Sequence, residues 1–360
     1  GMTLNLYFAR RFLGMFLWVF AGFGGVLLLI DIIEQLRRSA ASFGQAAKLS
    51  FLNVPESLYQ ILPLLMLLAG IALFLALARS SELVVVRAAG RSGLSFLFAP
   101  VAMAALLGAF AVTVIDPLVA ATSKSYDRLQ SQGSDAVMSI SSNGLWMRQG
   151  TPDGQTVIRA TSGNPDGSEI NGVTFQTFAA DGTPIERIEA ATALLEPGEW
   201  VLRDAKRWDL TADNPEVSAS PAIAEIRVAT DLNQDRIRNS FGEPSSIAFW
   251  NLRAHIADLE KAGFSARSYR VWMQMELAMP LLLIAMVLIA AGFTMRHARS
   301  GKTGQMVLLA LLGGFAIFFL RNFAQVLGVN AQIPIALAAW GPPVAGTFMA
   351  LGLLLHLEDG

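Results

Sequence analysis

Residues able to do covalent or metal chemistry are scarce in this chain, and their spacing fits no such chemistry. Cysteine is absent, which excludes thiolate nucleophiles, thiolate metal sites and disulfides. The three histidines, His255, His297 and His356, fall in separate regions and form no HExxH pair, so a zinc peptidase would lack its ligands. No GxSxG nucleophile elbow occurs. Gly301-Lys302-Thr303 matches the end of a phosphate-binding loop. That motif needs a glycine where Arg296 stands, and a strand where an apolar stretch precedes it. The expectation is a chain with no catalytic residue, no metal site and no cofactor, which does not itself hydrolyse ATP.

Charge is the chemistry that remains, and it is sparse and unevenly placed. Only 15% of the 360 residues are charged and 53% are hydrophobic, against about 25% charged in a soluble globular chain. An ordinary soluble enzyme is excluded, and abundant apolar residues exclude disorder. The net charge of −1 hides a split. Residues 118–269 hold 20 of the 28 acidic and 14 of the 27 basic groups. Two different solvents for one chain are implied. No nucleic acid partner is expected.

The elements that must carry those charges follow from hydropathy. A membrane helix needs about 20 mostly apolar residues. Phe12–Ile30, Ser57–Ala78, Leu94–Ile115, Val271–Phe293, Met306–Leu320 and Ile335–Leu357 meet or approach that length. Asp31-Ile-Ile-Glu-Gln follows the first stretch where a signal peptide would have a small-residue cleavage site, so the stretch reads as an uncleaved helix. Arg10 and Arg11, then Arg79, Arg87 and Arg91, then Arg296, Arg299 and Lys302 fall on one side of such a six-helix path. Basic short loops mark the cytoplasm. Both termini are then expected in the cytoplasm, with the 31–56 loop and residues 118–269 outside.

The outer segment reads as β. Val173, Phe175 and Thr177 alternate with Thr174, Gln176 and Phe178, and Asp181-Gly182 and Pro197-Gly198 punctuate such runs. Ile185–Ala190 and Trp200–Arg203 read as neighbouring strands, and the spacing suggests a sandwich or jelly roll. An ordinary closed core is favoured over an open lipid-holding seam. Leu252, Ile256 and Leu259 then repeat at helical spacing, with Gly263 as a C-cap. An amphipathic helix lying at the outer membrane surface is expected there. The predicted fold class is an α-helical membrane protein with six transmembrane helices in a 3+3 layout and an inserted all-β periplasmic jelly-roll-like domain. Its parts are residues 1–117, 118–269 and 270–360.

Between the second and third spans, Arg79-Ser-Ser-Glu-Leu-Val-Val-Val-Arg-Ala-Ala-Gly-Arg91 is longer than a minimal turn. Ser80 or Ser81 suits an N-cap, Glu82 the first turn and Gly90 the end of a short helix over 80–91. A short apolar helix with a charge at each end suits docking into a groove of another protein. Lying on the bilayer is the alternative on pattern alone.

Ser81-Glu-Leu-Val-Val-Val-Arg-Ala-Ala-Gly90 resembles the coupling-helix segment of the lipopolysaccharide export permeases, the LptF/LptG family. Pro63…Ala69-Gly70…Leu77-Ala78-Arg79, Asn143-Gly-Leu-Trp146 and Gln332-Ile-Pro-Ile…Ala339-Trp-Gly-Pro-Pro343 also fit. Asp31-Ile-Ile-Glu-Gln-Leu-Arg-Arg38 resembles the G-type paralogue. The resemblance implies one permease subunit of an ABC-type exporter in the bacterial inner membrane. Such an exporter lifts lipopolysaccharide and passes it to a periplasmic bridge. It implies three protein partners: a cytoplasmic ABC ATPase dimer, a paralogous permease, and a periplasmic jelly-roll protein with a single membrane helix. Under it Glu82 and Arg87 contact the ATPase, Gly90 ends the coupling helix, and Glu82→Arg is expected to abolish transport and weaken association with the ATPase.

The resemblance also gives a reading to bases on the outer side. Arg37, Arg38, Lys124, Arg128 and Arg321 become candidates for the lipid A phosphates, since guanidinium groups bind phosphate bidentately. Snorkelling to ordinary headgroups is the alternative for any one of them. Asp31 would repel a phosphate, so either the lipid A differs in charge or Asp31 pairs with a nearby base such as Arg37 or Arg321, and Glu34 is spaced to pair with Arg38. Glu276 is expected to be paired as well. The small residues Gly22, Gly24 and Gly25, and Gly313 and Gly314, suit close helix contact. They serve either at the seams where lipid enters or within this one chain. Three rivals are a receptor or scaffold with a ligand-sensing β-domain, a permease for a different lipid, and a membrane-embedded lipid-modifying enzyme. Absent nucleophile motifs count against the last.

Overall fold

The computed structural model describes residues 2–38, 42–90, 92–130, 137–141, 143–151, 154–295 and 302–358. Arg91, Arg296, His297, Arg299 and Gly301 of the sequence reading lie outside them. The helices before the insert are α1 (Met2–Arg38), α2 (Phe43–Gln60), α3 (Leu62–Arg79), α4 (Glu82–Ala88), α5 (Phe98–Phe110) and α6 (Asp116–Gln130). The strands are β1 (Val137–Ser141), β2 (Gly144–Thr151), β3 (Gly154–Ala160), β4 (Ser162–Gly163), β5 (Glu169–Ala179), β6 (Pro184–Glu196), β7 (Glu199–Asp209) and β8 (Ile223–Ala229). Then come α7 (Gln234–Ser240), α8 (Phe249–Lys261), α9 (Arg267–Leu277), α10 (Met279–Thr294), α11 (Thr303–Val329) and α12 (Ile335–Glu358). They form two units: Gly1–Gln130 with Ala248–Trp250 and Arg270–Gly360, and Ser131–Ile247 with Asn251–Tyr269.

In the helical unit, Met2–Arg38, Leu62–Arg79, Gly93–Gln130, Thr303–Val329 and Ile335–Leu357 are long and apolar enough to cross a membrane. The remaining expected span is broken: α9 and α10 meet at a bend of 51°. Pro280 is the cause. It has no N–H for the carbonyl of Glu276, and its ring crowds that carbonyl. In the first turn of α10, where no donor is needed, it is harmless. Pro63 likewise opens α3, separating it from α2 at Ile61. The segment 31–56, expected as a loop, is helical where described. α1 continues to Arg38, and α2 starts behind Ser42, whose hydroxyl accepts from the Gln45 amide at 3.4 Å.

α3 and α10 form the centre of this unit. Leu65, Met66 and Leu73 of α3 and Leu282, Met286 and Ile289 of α10 are wholly buried. Gly70 lets α3 and Gly108 lets α5 approach α10: an added Cβ would lie 2.9 Å from the Ala290 Cβ and 2.5 Å from the Pro280 Cα respectively. By contrast α1 exposes Leu17, Trp18 and Leu29, and α11 exposes Phe319, Phe323 and Val326. Lipid contact costs such side chains nothing.

One π turn, Ala111–Ile115, precedes α6. Pro117 cannot donate to the Thr113 carbonyl, so the ladder is interrupted there. The indole of Trp250 supplies the missing donor, at 3.0 Å from the Thr113 oxygen. Beside it the Asp116 carboxylate accepts from the Phe249 amide at 2.7 Å, satisfying a free N–H at the start of α8.

The second unit is built on one antiparallel sheet, in the order β1-β2-β3-β5-β6-β7-β8 with β4 beside β5. That path is a meander, so crossing connections do not make its layers; a fold line does. Pairing skips Gly172 on β5, Ala191 on β6 and Asp204 on β7, which lie opposite one another, and Thr161 breaks β3 from β4 beside them. Gly172 (φ +60°) and Asp204 (φ +52°) are left-handed. A Cβ on Gly172 would lie 2.4 Å from the Thr161 hydroxyl. Sheets turn corners at such irregular residues.

Two contacts show that the halves face each other. Phe175 aligns through Ile188 with Arg207, which a flat strand would set about 23 Å from Trp200. Yet the rings of Phe175 and Trp200 meet edge to face at 6.1 Å. Gln149 of β2 reaches Thr230, just after β8, with a 2.8 Å hydrogen bond. A single meander thus encloses a two-layer core around Trp200, the jelly-roll-like insert the strand pattern suggested.

The expected turns stand at Gly182 (φ +88°) and Gly198 (φ +82°). The Asp181 carboxylate accepts from the Thr183 amide at 3.0 Å. That bond also holds its carboxyl below the usual carboxylate range. α8 buries Leu252, Ile256 and Leu259 as its periodicity implied. The face expected to lie on a membrane is therefore covered within the chain. The turn that follows is pinned to β4: the Gly163 amide donates to the Ala262 carbonyl at 2.6 Å.

Candidate functional site

The short helix expected between the second and third spans is α4, seven residues long. Ser81 holds the N-cap position but is left-handed (φ +58°), and its side chain makes no cap bond. Gly90 (φ +75°) follows the helix end, where a left-handed residue closes the last turn. The two faces of α4 differ. Leu83 is partly covered and Val86 is buried in the main core. Val84 and Val85 stand 59% and 68% exposed, and Arg87 is exposed with them. Glu82 is on the covered side. Both its carboxylate oxygens accept from Nη1 of Arg11 on α1, at 2.9 and 3.0 Å.

At the other end of α1, Arg37 and Arg38 are exposed. The expected Glu34–Arg38 pair forms at 2.8 Å, and Arg37 lies 3.8 Å from the same carboxylate. Lys124 and Arg128 are exposed at i, i+4 on α6. Between these basic sets the buried Gln35 donates to the Tyr126 hydroxyl at 2.9 Å, which joins α1 to α6. Asp31 does not take the expected arginine partner. Its Oδ1 accepts from Asn53 of α2 at 3.0 Å, because α2 runs beside α1 where a loop had been expected.

Arg321 is placed apart from these exposed bases. It is 6% exposed inside the helical unit. Glu276 is wholly buried and accepts from the Tyr59 hydroxyl. Asp116 and Arg321 lie within electrostatic reach of that carboxylate. Glu276 Oε1 and Arg321 Nη2 have no hydrogen-bond partner among the described residues. The five proposed phosphate contacts thus divide into four exposed bases on two joined helices and one enclosed guanidinium.

The glycines divide as well. A Cβ on Gly314 would meet Leu67 at 2.2 Å, one on Gly313 would meet Phe293 at 3.1 Å, and one on Gly24 would meet Leu58 at 3.5 Å. Gly313 and Gly314 serve packing within this chain, whereas Gly24 has room for a Cβ in ordinary contact. Gly22 and Gly25 would meet nothing within 4 Å, and so open outward.

Sequence reasoning missed three contacts. Arg11 carried an orientation signal but none for Glu82. Tyr59 had no signal at all. Asp116-Pro117 follows the third apolar run, and the donor lost at Pro117 could have prompted a search for a substitute such as Trp250. Among the described residues no cluster of His, Asp or Glu could hold a metal.

These features define a multi-pass helical membrane protein carrying an all-β insert after its third span. The family of the lipopolysaccharide export system permeases LptF/LptG matches residues 6–356, and the chain belongs to it. It is 23% identical over 347 residues to the lipopolysaccharide export system permease protein LptG of Escherichia coli K12, covering 95% of this chain and 94% of that one. The LptG protein of Haemophilus influenzae is 22% identical over 364 residues, covering 99% of each. Both carry the G-type name, in line with the resemblance of residues 31–38.

Proposed function

We propose that this chain is the G-type permease subunit of a lipopolysaccharide exporter, driven by a separate cytoplasmic ATPase dimer. It works beside a paralogous permease in the bacterial inner membrane and hands lipid to a periplasmic jelly-roll partner with one membrane helix. The termini and α4 face the cytoplasm, and the insert within 118–269 faces the periplasm. The observation that carries this reading is α4. A seven-residue helix between two spans keeps its inner side on the core and leaves Val84 and Val85 exposed. Exposed valines on a short, fastened helix suit insertion into a groove of another protein.

Arg37, Arg38, Lys124 and Arg128 are proposed to receive the lipid's phosphates, as exposed bases on helices joined by Gln35 and Tyr126. Gly22 and Gly25 are proposed to face the partner permease at the lipid's entrance. The test is copurification from native membranes. Val84→Asp with Val85→Asp is expected to strip the ATPase from the permease while the β-insert stays folded. Retention of the ATPase by that variant overturns the docking assignment. Photo-crosslinkers at positions 37 and 38 are expected to capture lipopolysaccharide, and failure at both sites overturns the phosphate assignment.

A further inference from the structure

α4 and the turn that follows it are each fastened to α1 at one point. Nη1 of Arg11 bridges both oxygens of Glu82 and also donates to the Tyr7 hydroxyl at 3.2 Å. The Arg11 and Glu82 side chains are only 26% and 33% exposed, so the pair is better shielded than an ordinary surface ion pair. Beyond α4, in the short 3-10 turn Gly93–Phe96, the ring of Phe96 lies 4.2 Å from that of Phe8. Phe8 and Phe96 are 2% and 3% exposed. Glu82 and Phe96 bracket the docking segment, and both are held by residues of α1 three positions apart.

α1 is unbroken and has no proline from Met2 to Arg38. At 1.5 Å per residue, Arg11 and Arg37 are about 39 Å apart along one rigid rod. Between them the helix exposes Leu17, Trp18, Val26, Leu29 and Ile30. That face meets lipid, while Phe8, Phe12 and Phe16 anchor the opposite face in the core. A displacement of α4 therefore meets a stiff element at Arg11, and that element ends at Arg37 and Arg38.

We propose that Arg11 is a positioning residue: its ion pair with Glu82 transmits movement of the docking helix to α1, and through it to Arg37 and Arg38. Glu82 then acts within the permease, while Val84 and Val85 meet the ATPase. This inference rests on the exporter reading above. It adds a route and a residue to that reading, and it changes the role of Glu82.

The experiment is a charge reversal in the reconstituted exporter, with all subunits present. It reads ATPase copurification, ATP hydrolysis, and lipopolysaccharide released per ATP. Arg11→Glu and Glu82→Arg are each expected to keep the ATPase bound and hydrolysing. Release per ATP falls about tenfold, the effect of losing one interaction of ordinary strength at the step it serves. The double reversal restores release to within about threefold of the parent, because the pair is remade with opposite charges. Release that survives either single change, or a double reversal no better than Glu82→Arg alone, overturns the proposal. Loss of the ATPase from Glu82→Arg but not from Arg11→Glu also overturns it, since Glu82 would then be a direct contact.

If the reversals fail to accumulate, a cysteine pair replaces them. The chain has no cysteine of its own, so Arg11→Cys with Glu82→Cys can be bridged by a bifunctional maleimide. The unbridged pair is expected to be uncoupled and the bridged pair to regain release. No gain on bridging counts against the strut. Failure of the parent chain to copurify with any ATPase sinks the exporter reading instead, and is read before any variant.

Discussion

Arg227 and Arg321 show how differently one side chain behaves in the two units. Arg227, on β8, lies among Glu196, Glu199 and Glu225 with its side chain 54% exposed. Arg321, on α11, is almost wholly enclosed, with a nitrogen that has no hydrogen-bond partner among the described residues. The first sits in water, where ion pairs are screened and weak. The second sits among membrane helices, where water is scarce and every polar group needs a named neighbour. The acidic insert spends its charges on solubility. In the helical unit several buried polar groups tie helices together: Gln35 with Tyr126, Tyr59 with Glu276, Asp116 with the start of α8.

If this contrast holds, the insert depends on its apolar centre and the helical unit on its polar contacts. Trp200→Ala empties the middle of the folded sheet and is expected to cost about 3–5 kcal/mol. Denaturation of the full chain in detergent, followed by fluorescence, measures it, and a loss near zero breaks the claim that the sheet folds around Trp200. Tyr59→Phe leaves the Glu276 carboxylate without its donor and is expected to cost about 1–3 kcal/mol. The same assay with Tyr59→Phe and Glu276→Leu together should recover part of the loss, and no recovery would detach the two residues. Trp250→Phe orphans the Thr113 carbonyl, at a cost of about 1 kcal/mol. Faster amide exchange at α8's first turn would accompany it, and unchanged exchange would break the link. Arg227→Ala is expected to leave the melting temperature where it was. A clear drop there would erase the contrast.

Much of the architecture was legible because it is periodic. Apolar runs marked the spans, and alternation with Asp181-Gly182 and Pro197-Gly198 marked the strands. Pro63 and Pro280 stand inside two of those apolar runs, and each opens a new helix. Pro280 splits its span, because α10 can begin at the proline with no donor lost. The outer segment 31–56 was misread as a loop because its polar residues hid the continuation of α1 and the start of α2. The site was legible in part. α4, Gly90 and the Glu34–Arg38 pair follow local spacing, whereas the partner of Asp31 lies on a helix the sequence had not revealed.

Composition and spacing by themselves determined a membrane protein with an all-β insert and a short helix between two spans. Those are properties of neighbours along the chain, so local geometry suffices. Tertiary structure alone decided which groups meet. Glu82 finds Arg11 71 residues away, and Glu276 finds Tyr59 217 residues away. It also decided that Gly314 packs inside while Gly22 and Gly25 open outward, and that one meander folds along Gly172, Ala191 and Asp204. Such choices depend on how distant segments approach, and a sequence pattern specifies each segment's face without saying what will stand opposite it.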